Sequence, residues 1–551
     1  MNPILRIALP VPLHTWFDYR SASVAPPQPG SRVLVPFGRR RVVGVVVEAV
    51  DASELGDSQL KTVERVLDER PLLTTELMTT LRRAARYYQH PFGEVLQAAL
   101  PVALRSARAL PETGLPALCL TAEGRIARDD PKRRRGTRVD ALLHALADGT
   151  RALADLDGAL GKVASAARSA AARGWVERVR IGANAADPAP QPGPPLNEEQ
   201  RTAADTVVAA DGYAAYLLEG VTGSGKTEVY LEIIRACLAH GRQALVLVPE
   251  IALTPQALKR FRERLGIEIA ALHSGLAEGE RARAWLAAAR GEARVILGTR
   301  SALFVPLPRP GVIVVDEEHD ASYKQQEGFR YHARDLAVLR AQALGVPVVL
   351  GSATPSLESL ANVEAGRYRH LRLRHRAGLA QPPALEVVDL RRQRLDHGLA
   401  RPTLDAIREC LARGEQALVF RNRRGYAPVL LCRDCGWSAA CPHCERPMTL
   451  HRRDQRLRCH HCGYERTAPS ACPECSSLAL GPVGEGTERL EEALAGHFPD
   501  APIVRVDRDT TRGRRARDAL LDRLADAGPR ILVGTQMLAK GHDLPHLTLV
   551  V

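Results

Sequence analysis

Three groups of residues in this 551-residue sequence have the types and spacing that chemistry requires. The first is "GVTGSGKT", Gly220–Thr227, which matches G-x-x-x-x-G-K-[ST] at every fixed position. Gly220, Gly223 and Gly225 let backbone N–H groups curl around phosphate oxygens, Lys226 reaches the β/γ-phosphates, and the Thr227 hydroxyl ligates Mg²⁺. The second is "VIVVDEEHD", an apolar run ending in acids. Asp316 can hold Mg²⁺ directly or through water, and Glu317 can polarise an attacking water. Two acids at a strand end could equally cap a helix; the phosphate loop tips the reading to nucleotide hydrolysis. The third is a cysteine block: eight of the eleven cysteines lie in residues 432–475 as the CxxC pairs Cys432/Cys435, Cys441/Cys444, Cys459/Cys462 and Cys472/Cys475. Each pair can present two thiolates from a tight knuckle, and two knuckles complete a tetrahedral Cys₄ zinc site. Eight cysteines fill two such sites. Keeping the pairs intact leaves three pairings, and spacing alone does not choose among them. A redox role competes, but four pairs this close favour metal. A fully Cys-ligated zinc has no position for water, so these sites read as structural. Arg446, Arg452, Arg453, Arg456 and Arg458 cluster between the second and third pairs and could offset thiolate charge or contact DNA or a partner protein. His443, His460 and His461 read as bystanders.

These residues need elements to position them. Residues 1–105 mix β-branched runs ("RVLVPFG", "RVVGVVVEAV") with Gly and Pro, then a helical stretch, and predict a small β-rich domain. Residues 106–182 are rich in Ala and Arg with helical periodicity and a short strand, which fits either a winged-helix-like domain or a helical connector. Residues 183–195, "ANAADPAPQPGPP", are a linker. From Leu196 short apolar strands, each ending in a polar motif, alternate with helices, the pattern of a parallel α/β sheet with ligands at the strands' carboxyl ends. One lobe spans 196–376. A second starts over 377–430, is interrupted by the metal insert 431–476, and resumes over 477–551. The fold class is multidomain α/β. Cys119, Cys237 and Cys410 stand alone and are read as small core residues.

Composition narrows the partners. A formal charge of +13, from 76 Lys+Arg against 63 Asp+Glu, suits a nucleic-acid partner, although an Arg-rich codon bias gives the same count. No run of 18 apolar residues suggests a membrane span, and the start lacks the form of a signal peptide. The expected location is the cytoplasm, where clustered thiols stay reduced.

"YKQQEGFRYHARD" (323–335) interleaves Phe329, Arg330, Tyr331, His332 and Arg334, stacking faces alternating with cations as single-strand binding needs. With it, the order GVTGSGKT, "LVPEIALTPQ", "GTRSALF", DEEH, "GSATPS", "RRGY" and "GTQMLAKGHD" resembles superfamily 2 helicases. Adding the eight-cysteine insert, the chain resembles the PriA family of bacterial replication-restart helicases over essentially its whole length. The resemblance implies two RecA-like lobes, ATP with Mg²⁺, two Zn²⁺ in a nested pairing of outer with outer and inner with inner knuckles, and 3′→5′ DNA unwinding at stalled forks. It implies forked and single-stranded DNA, primosome proteins and single-strand-binding protein as partners. Gln200 would contact adenine. Gly298, Thr299 and Arg300 would lie near the DNA backbone. Ser352, Ala353 and Thr354 would couple hydrolysis to lobe movement, and Thr535 and Gln536 would face the cleft between lobes. The insert would act as a wedge or docking surface.

The N-terminal domain of the family captures a nascent 3′ end, and the matching positions here are Phe17, Asp18, Gly38 and Lys61. A ring for stacking, a carboxylate for a terminal hydroxyl and a cation for phosphate fit that task. The family also has an arginine-bearing motif and a C-terminal domain beyond "LPHLTLVV", so the chain is expected to be a fragment of a longer protein. Two rival readings stay open: a fork-binding scaffold with weak or no hydrolysis, and another zinc-bearing superfamily 2 ATPase acting on RNA.

Overall fold

The computed structural model describes the chain apart from residues 1–2, 57, 131–135, 148, 182–189, 250–254, 378–382, 391–394, 421–428, 445, 452–455, 460–461, 484–486, 507–527, 535–543 and 545. It divides into two compact units, Met1–Gln381 and Pro382–Val551. The RRGY segment, Thr535, Gln536, Arg452, Arg453, His460, His461 and much of LVPEIALTPQ lie outside the described residues.

The first β-branched runs form an antiparallel sheet of β1 (Ile4–Ala8), β2 (Phe17–Arg20), β3 (Arg32–Phe37), β4 (Arg40–Val50) and β5 (Arg65–Val66), ordered β2-β1-β4-β3-β5. Alternation sends Leu5, Ile7, Val33, Val35 and Val46 to one core. Helices α1 (Thr75–Tyr87) and α2 (Phe92–Ala99) follow; the Thr74 hydroxyl caps α1 by accepting the Leu77 N–H. Their apolar face, Leu77, Leu81, Ala84, Val95 and Leu96, enters the same core as Leu247, Leu303 and Phe304 of the next lobe. The N-terminal segment is therefore fused to that lobe rather than standing apart from it. Arg340, fully buried, fastens the seam: it pairs with Glu76 at 3.3 Å and donates to the Leu303 and Val305 carbonyl oxygens.

Next come β6 (Leu115–Leu120), α3 (Ala122–Asp129), α4 (Arg138–Ala145), β7 (Arg151–Ala152), α5 (Leu153–Leu160), α6 (Ala164–Ala172) and β8 (Val176–Ile181). The sheet β7-β6-β8 and the helices close on Leu118, Leu142, Leu143, Leu156 and Val163. β6 is hard to read from "LPALCL", which holds a proline and no β-branched residue. Cys119 is not a core residue: it is half-buried on β6 and its thiol donates to Glu177 on the paired strand, at 3.2 Å.

The first lobe comprises α7 (Glu198–Val208), β9 (Ala215–Gly220), α8 (Lys226–Ala239), β10 (Gln243–Leu247), α9 (Pro255–Leu265), β11 (Ile269–Leu272) and α10 (Glu278–Ala289). It continues with β12 (Val295–Gly298), β13 (Pro310–Asp316), α11 (Ala333–Leu344), β14 (Val348–Ser352), α12 (Leu357–Glu364) and β15 (Arg369–Leu373). Its seven strands are all parallel, ordered β11-β12-β10-β13-β14-β9-β15. Helices cover both faces, which is why these strands read as unbroken apolar runs.

The second unit holds α13 (Arg401–Ala412), β16 (Gln416–Phe420), β17 (Val429–Cys432), β18 (Thr449–His451), β19 (Arg456–Arg458), β20 (Glu465–Thr467) and β21 (Leu480–Val483). α14 (Thr487–His497), β22 (Ile503–Val506), β23 (Arg530–Gly534) and β24 (Leu547–Val550) complete it. A parallel sheet β22-β23-β16-β24 is separate from an antiparallel one, β20-β19-β18-β17-β21. The second sheet carries the cysteines and begins and ends outside them, because β17 and β21 pair Val429 with Val483. Leu430, Met448, Leu450 and Leu457 give it a small core, more than its polar sequence suggests. Among the described residues, no helix is long and apolar enough to cross a membrane.

Candidate nucleotide, DNA and metal sites

The phosphate loop joins β9 to α8. Gly225 takes φ 79°, a left-handed backbone that a glycine adopts without a Cβ penalty, and a Cβ there would run into the Gln200 amide. Lys226 bends back and its Nζ donates to the Gly220 carbonyl at 2.9 Å; Thr227 is half-buried in the first turn of α8. Gln200 is buried, and its amide does structural work the sequence did not reveal. Its oxygen accepts the Asn197 N–H at 2.9 Å as part of a capping box, and its Nε2 donates to the Ser224 carbonyl at 2.8 Å. The second N–H of that amide makes no hydrogen bond among the described residues.

Asp316 ends β13, one strand removed from β9, which feeds the loop; β14 runs between them. Burial, and then the adjacent Glu317, push its carboxyl up to about 6; the Tyr230 hydroxyl donates to it at 2.9 Å and Lys226 pulls the other way. A carboxylate so poor in compensating charge is suited to a divalent cation. Glu317 has φ 49°, a conformation costing about 1–3 kcal/mol in a non-glycine residue and typical of functional turns. His319 links this turn to the "GSATPS" segment: its Nδ1 is 2.7 Å from Ser352 Oγ, and its Nε2 is 3.5 Å from Thr354 Oγ1.

The residue that sequence reasoning missed is Glu318. Fully buried, it pairs with Arg334 at 3.0 Å and accepts from the Ser356 N–H at 2.7 Å and from the Ser356 and Ser359 hydroxyls, both at 2.9 Å. One carboxylate thus ties the acidic turn to the start of α11 and to the start of α12. The doubled acid in "DEEH" was its only trace in the sequence.

The 323–335 segment departs from expectation. Phe329 and Tyr331 are each 4% exposed, so their faces are not open for base stacking. They stack on each other with centroids 5.0 Å apart, and Phe304, Tyr88 and His90 close around them. Aromatic area is worth more buried in this shared core than displayed to water. The Tyr88 hydroxyl accepts the His332 N–H at 3.0 Å, which anchors the segment to the N-terminal domain. Arg330 stays exposed, and Arg300 donates to the Ser322 carbonyl at 3.0 Å.

Phe17, Asp18, Gly38 and Lys61 line one cavity of about 570 Å³. Gly38 sits in the turn between β3 and β4 at φ 58°. Phe17 meets Phe37 edge-on at 5.2 Å, and Asp18 accepts the Ser53 hydroxyl while lying 3.8 Å from Arg6. Arg6, Phe37 and Ser53 carried no signal of their own in the sequence.

The cysteines gather as two groups, Cys432, Cys435, Cys472 and Cys475, and Cys441, Cys444, Cys459 and Cys462. Of the three pairings, this is the nested one. Sulfurs lie 3.5–3.8 Å apart across the knuckles. A regular tetrahedron around zinc, with Zn–S of about 2.3 Å, has edges of about 3.8 Å. The knuckles repeat one geometry: the Cys432, Cys459 and Cys472 carbonyls accept the Gly436, Gly463 and Ser476 N–H groups, and those three residues have φ 83°, 79° and 57°. The Cys435 N–H, with that of Asp434, draws the Cys432 thiol down to about 7. His443 lies against the Tyr464 ring. Arg456 and Arg458 both pair with Glu465, at 3.4 and 2.5 Å.

Comparison with known proteins agrees with this anatomy. Residues 6–101 match the 3′DNA-binding domain (3′BD) of PriA, 197–363 the DEAD/DEAH box helicase model, and 441–466 the PriA DNA helicase Cys-rich region. The replication restart protein PriA of Haemophilus influenzae is 42% identical over 558 residues, covering 99% of this chain and 76% of that protein. That of Bacillus subtilis is 36% identical over 597 residues, covering 95% and 74%, and that of Treponema pallidum 34% identical, covering 100% and 74%. With identity at this level across nearly its whole length, the chain belongs to the PriA family of replication restart proteins and is a DNA helicase of that family, an ATP-hydrolysing enzyme.

Proposed function

We propose that the chain uses ATP hydrolysis to move 3′→5′ along DNA, recognises stalled or abandoned forks by holding a nascent 3′ end, and starts primosome assembly. Lys226, Thr227 and the Gly220–Gly225 backbone would bind the phosphates, with Mg²⁺ between Thr227 and Asp316. Glu317 would orient the water, and Gln200 would meet adenine. A bound Mg²⁺ supplies charge neutralisation at the transferring phosphoryl group. Two Zn²⁺ held by the eight cysteines would supply folding energy to the insert. Forked and single-stranded DNA, primosome proteins and single-strand-binding protein are the proposed partners, and the cytoplasm the proposed location. The domain division goes with this reading: 1–105 for the 3′ end, 106–182 winged-helix-like, 183–195 linker, 196–376 for ATP, and 377–430 with 477–551 flanking the zinc insert 431–476.

One observation carries it: the cavity lined by Phe17, Asp18, Gly38 and Lys61 lies in the same compact unit as the phosphate loop. A strand end held there is linked to the motor by a shared core. Asp18 is half-buried and offers a carboxylate to a terminal hydroxyl. Asp18→Ala should abolish the preference for forks ending in 3′-OH over 3′-phosphate, by about tenfold in Kd if one charge-assisted bond is lost. Fluorescence anisotropy with the two forks measures it; an unchanged preference removes the cavity from this role.

A further inference from the structure

A second cavity in the Met1–Gln381 unit, about 450 Å³, is walled by α2 and the turn after it on one side and by the carboxyl edge of the parallel sheet on the other. Three guanidinium groups line it: Arg105 from the N-terminal domain, Arg281 from α10, and Arg300. Among the described residues none of the three makes an ion pair; their partners are backbone carbonyls. Arg105 Nε donates to Leu100 at 2.9 Å, Arg281 Nη2 to Ser274 at 3.0 Å, and Arg300 Nη1 to Ser322 at 3.0 Å. Each keeps donors in hand, both terminal nitrogens in the case of Arg105, and Arg281 Nε is buried with no partner. Burial, and then the charge of Arg281, pull the Arg105 pKa below its usual value. The nearby acids do not resolve this: Glu94 is taken by His90 at 3.0 Å, and Glu278 and Glu327 are exposed. Positive groups crowded in a partly desolvated cleft, with donors to spare, are arranged for an anion.

We infer that this cavity grips a backbone phosphate of the single DNA strand, with Arg105 and Arg281 as its unassigned ligands beside Arg300. The inference rests on the helicase reading and adds a second point at which the N-terminal domain holds DNA, distinct from the 3′-end cavity. Because α1 and α2 share a core with the lobe, the guanidinium groups from the two domains are held in fixed relation. The grip is indifferent to base identity, as a translocating enzyme requires.

The test is fluorescence anisotropy of the full 551-residue chain on a 5′-labelled thymidine oligonucleotide across a KCl series. Each phosphate contact contributes about 0.7 to the slope of log K against log[salt] for a single strand. Arg105→Gln and, separately, Arg281→Gln should each flatten the slope by about that amount, with the melting temperature unchanged and the 3′-OH preference intact. Arg105→Lys should keep the slope. Inorganic phosphate in the titration should compete only weakly if a phosphodiester strand is the ligand; strong competition would overturn the strand assignment in favour of a free-phosphate site. Wild-type slopes in both Gln variants would overturn the proposal, as would a loss confined to 3′-end preference. Failure of the unmodified chain to bind the oligonucleotide would overturn the helicase reading itself.

Discussion

Glu318→Ala is expected to lower unfolding free energy by about 3–5 kcal/mol, the usual cost of leaving one member of a buried ion pair uncompensated. Arg334, 9% exposed at its side chain, would keep its charge with, among the described residues, Asp335 and the exposed Glu358 as its remaining ion-pair partners. Three donors would lose their acceptor as well: the Ser356 N–H and the Ser356 and Ser359 hydroxyls. Glu318→Gln keeps an acceptor oxygen and should lose less. Denaturant unfolding followed by circular dichroism measures both. The larger consequence is for turnover, because Glu318 holds together the acidic turn, α11 and α12. Where Gln restores folding, ATP hydrolysis should still be poorly stimulated by DNA. Glu318→Ala folding as tightly as the parent would show that the network is dispensable.

Breaking one knuckle should have an effect of similar size in the other unit. Structural zinc contributes about 10–16 kcal/mol of binding free energy to small domains, and that energy is folding energy. The sheet carrying the knuckles has few apolar side chains of its own, chiefly Leu430, Met448, Leu450 and Leu457. Cys459 itself is 1% exposed within that core. Cys459→Ser should release one zinc per chain, measured by atomic absorption, and expose the insert to protease. Unwinding should fall much more than ATP turnover, because the residues proposed for hydrolysis, Lys226, Asp316 and Glu317, lie in the Met1–Gln381 unit. Equal loss of both activities would argue against a stapled insert.

What the sequence made legible follows from how local each signal is. The phosphate loop and "DEEH" are contiguous, and their strand-end setting is written in the flanking apolar runs, so Lys226, Asp316 and Glu317 stood out as candidates. CxxC knuckles are local as well, which is why all eight clustered cysteines could be named while their grouping stayed open: grouping is set by the order of strands in the sheet. Long-range packing was not legible. Phe329 and Tyr331 looked like a stacking platform because their neighbours in sequence are cations, yet their neighbours in space are Phe304, Tyr88 and His90. Glu318 was hidden for the same reason, its partners lying 16, 38 and 41 residues away. The fusion of α1 and α2 with the parallel lobe had no sequence signature beyond an amphipathic face whose partner is unspecified.

Nucleotide hydrolysis at the Gly220–Thr227 loop is expected to be driven by DNA. The direct test is the steady-state ATPase rate of this chain with and without a forked DNA, beside Lys226→Ala. Turnover should rise about tenfold or more on fork addition and disappear in Lys226→Ala, since the only cation of the loop is lost from the β/γ-phosphates. Turnover that ignores DNA, or that survives in Lys226→Ala, would contradict that expectation.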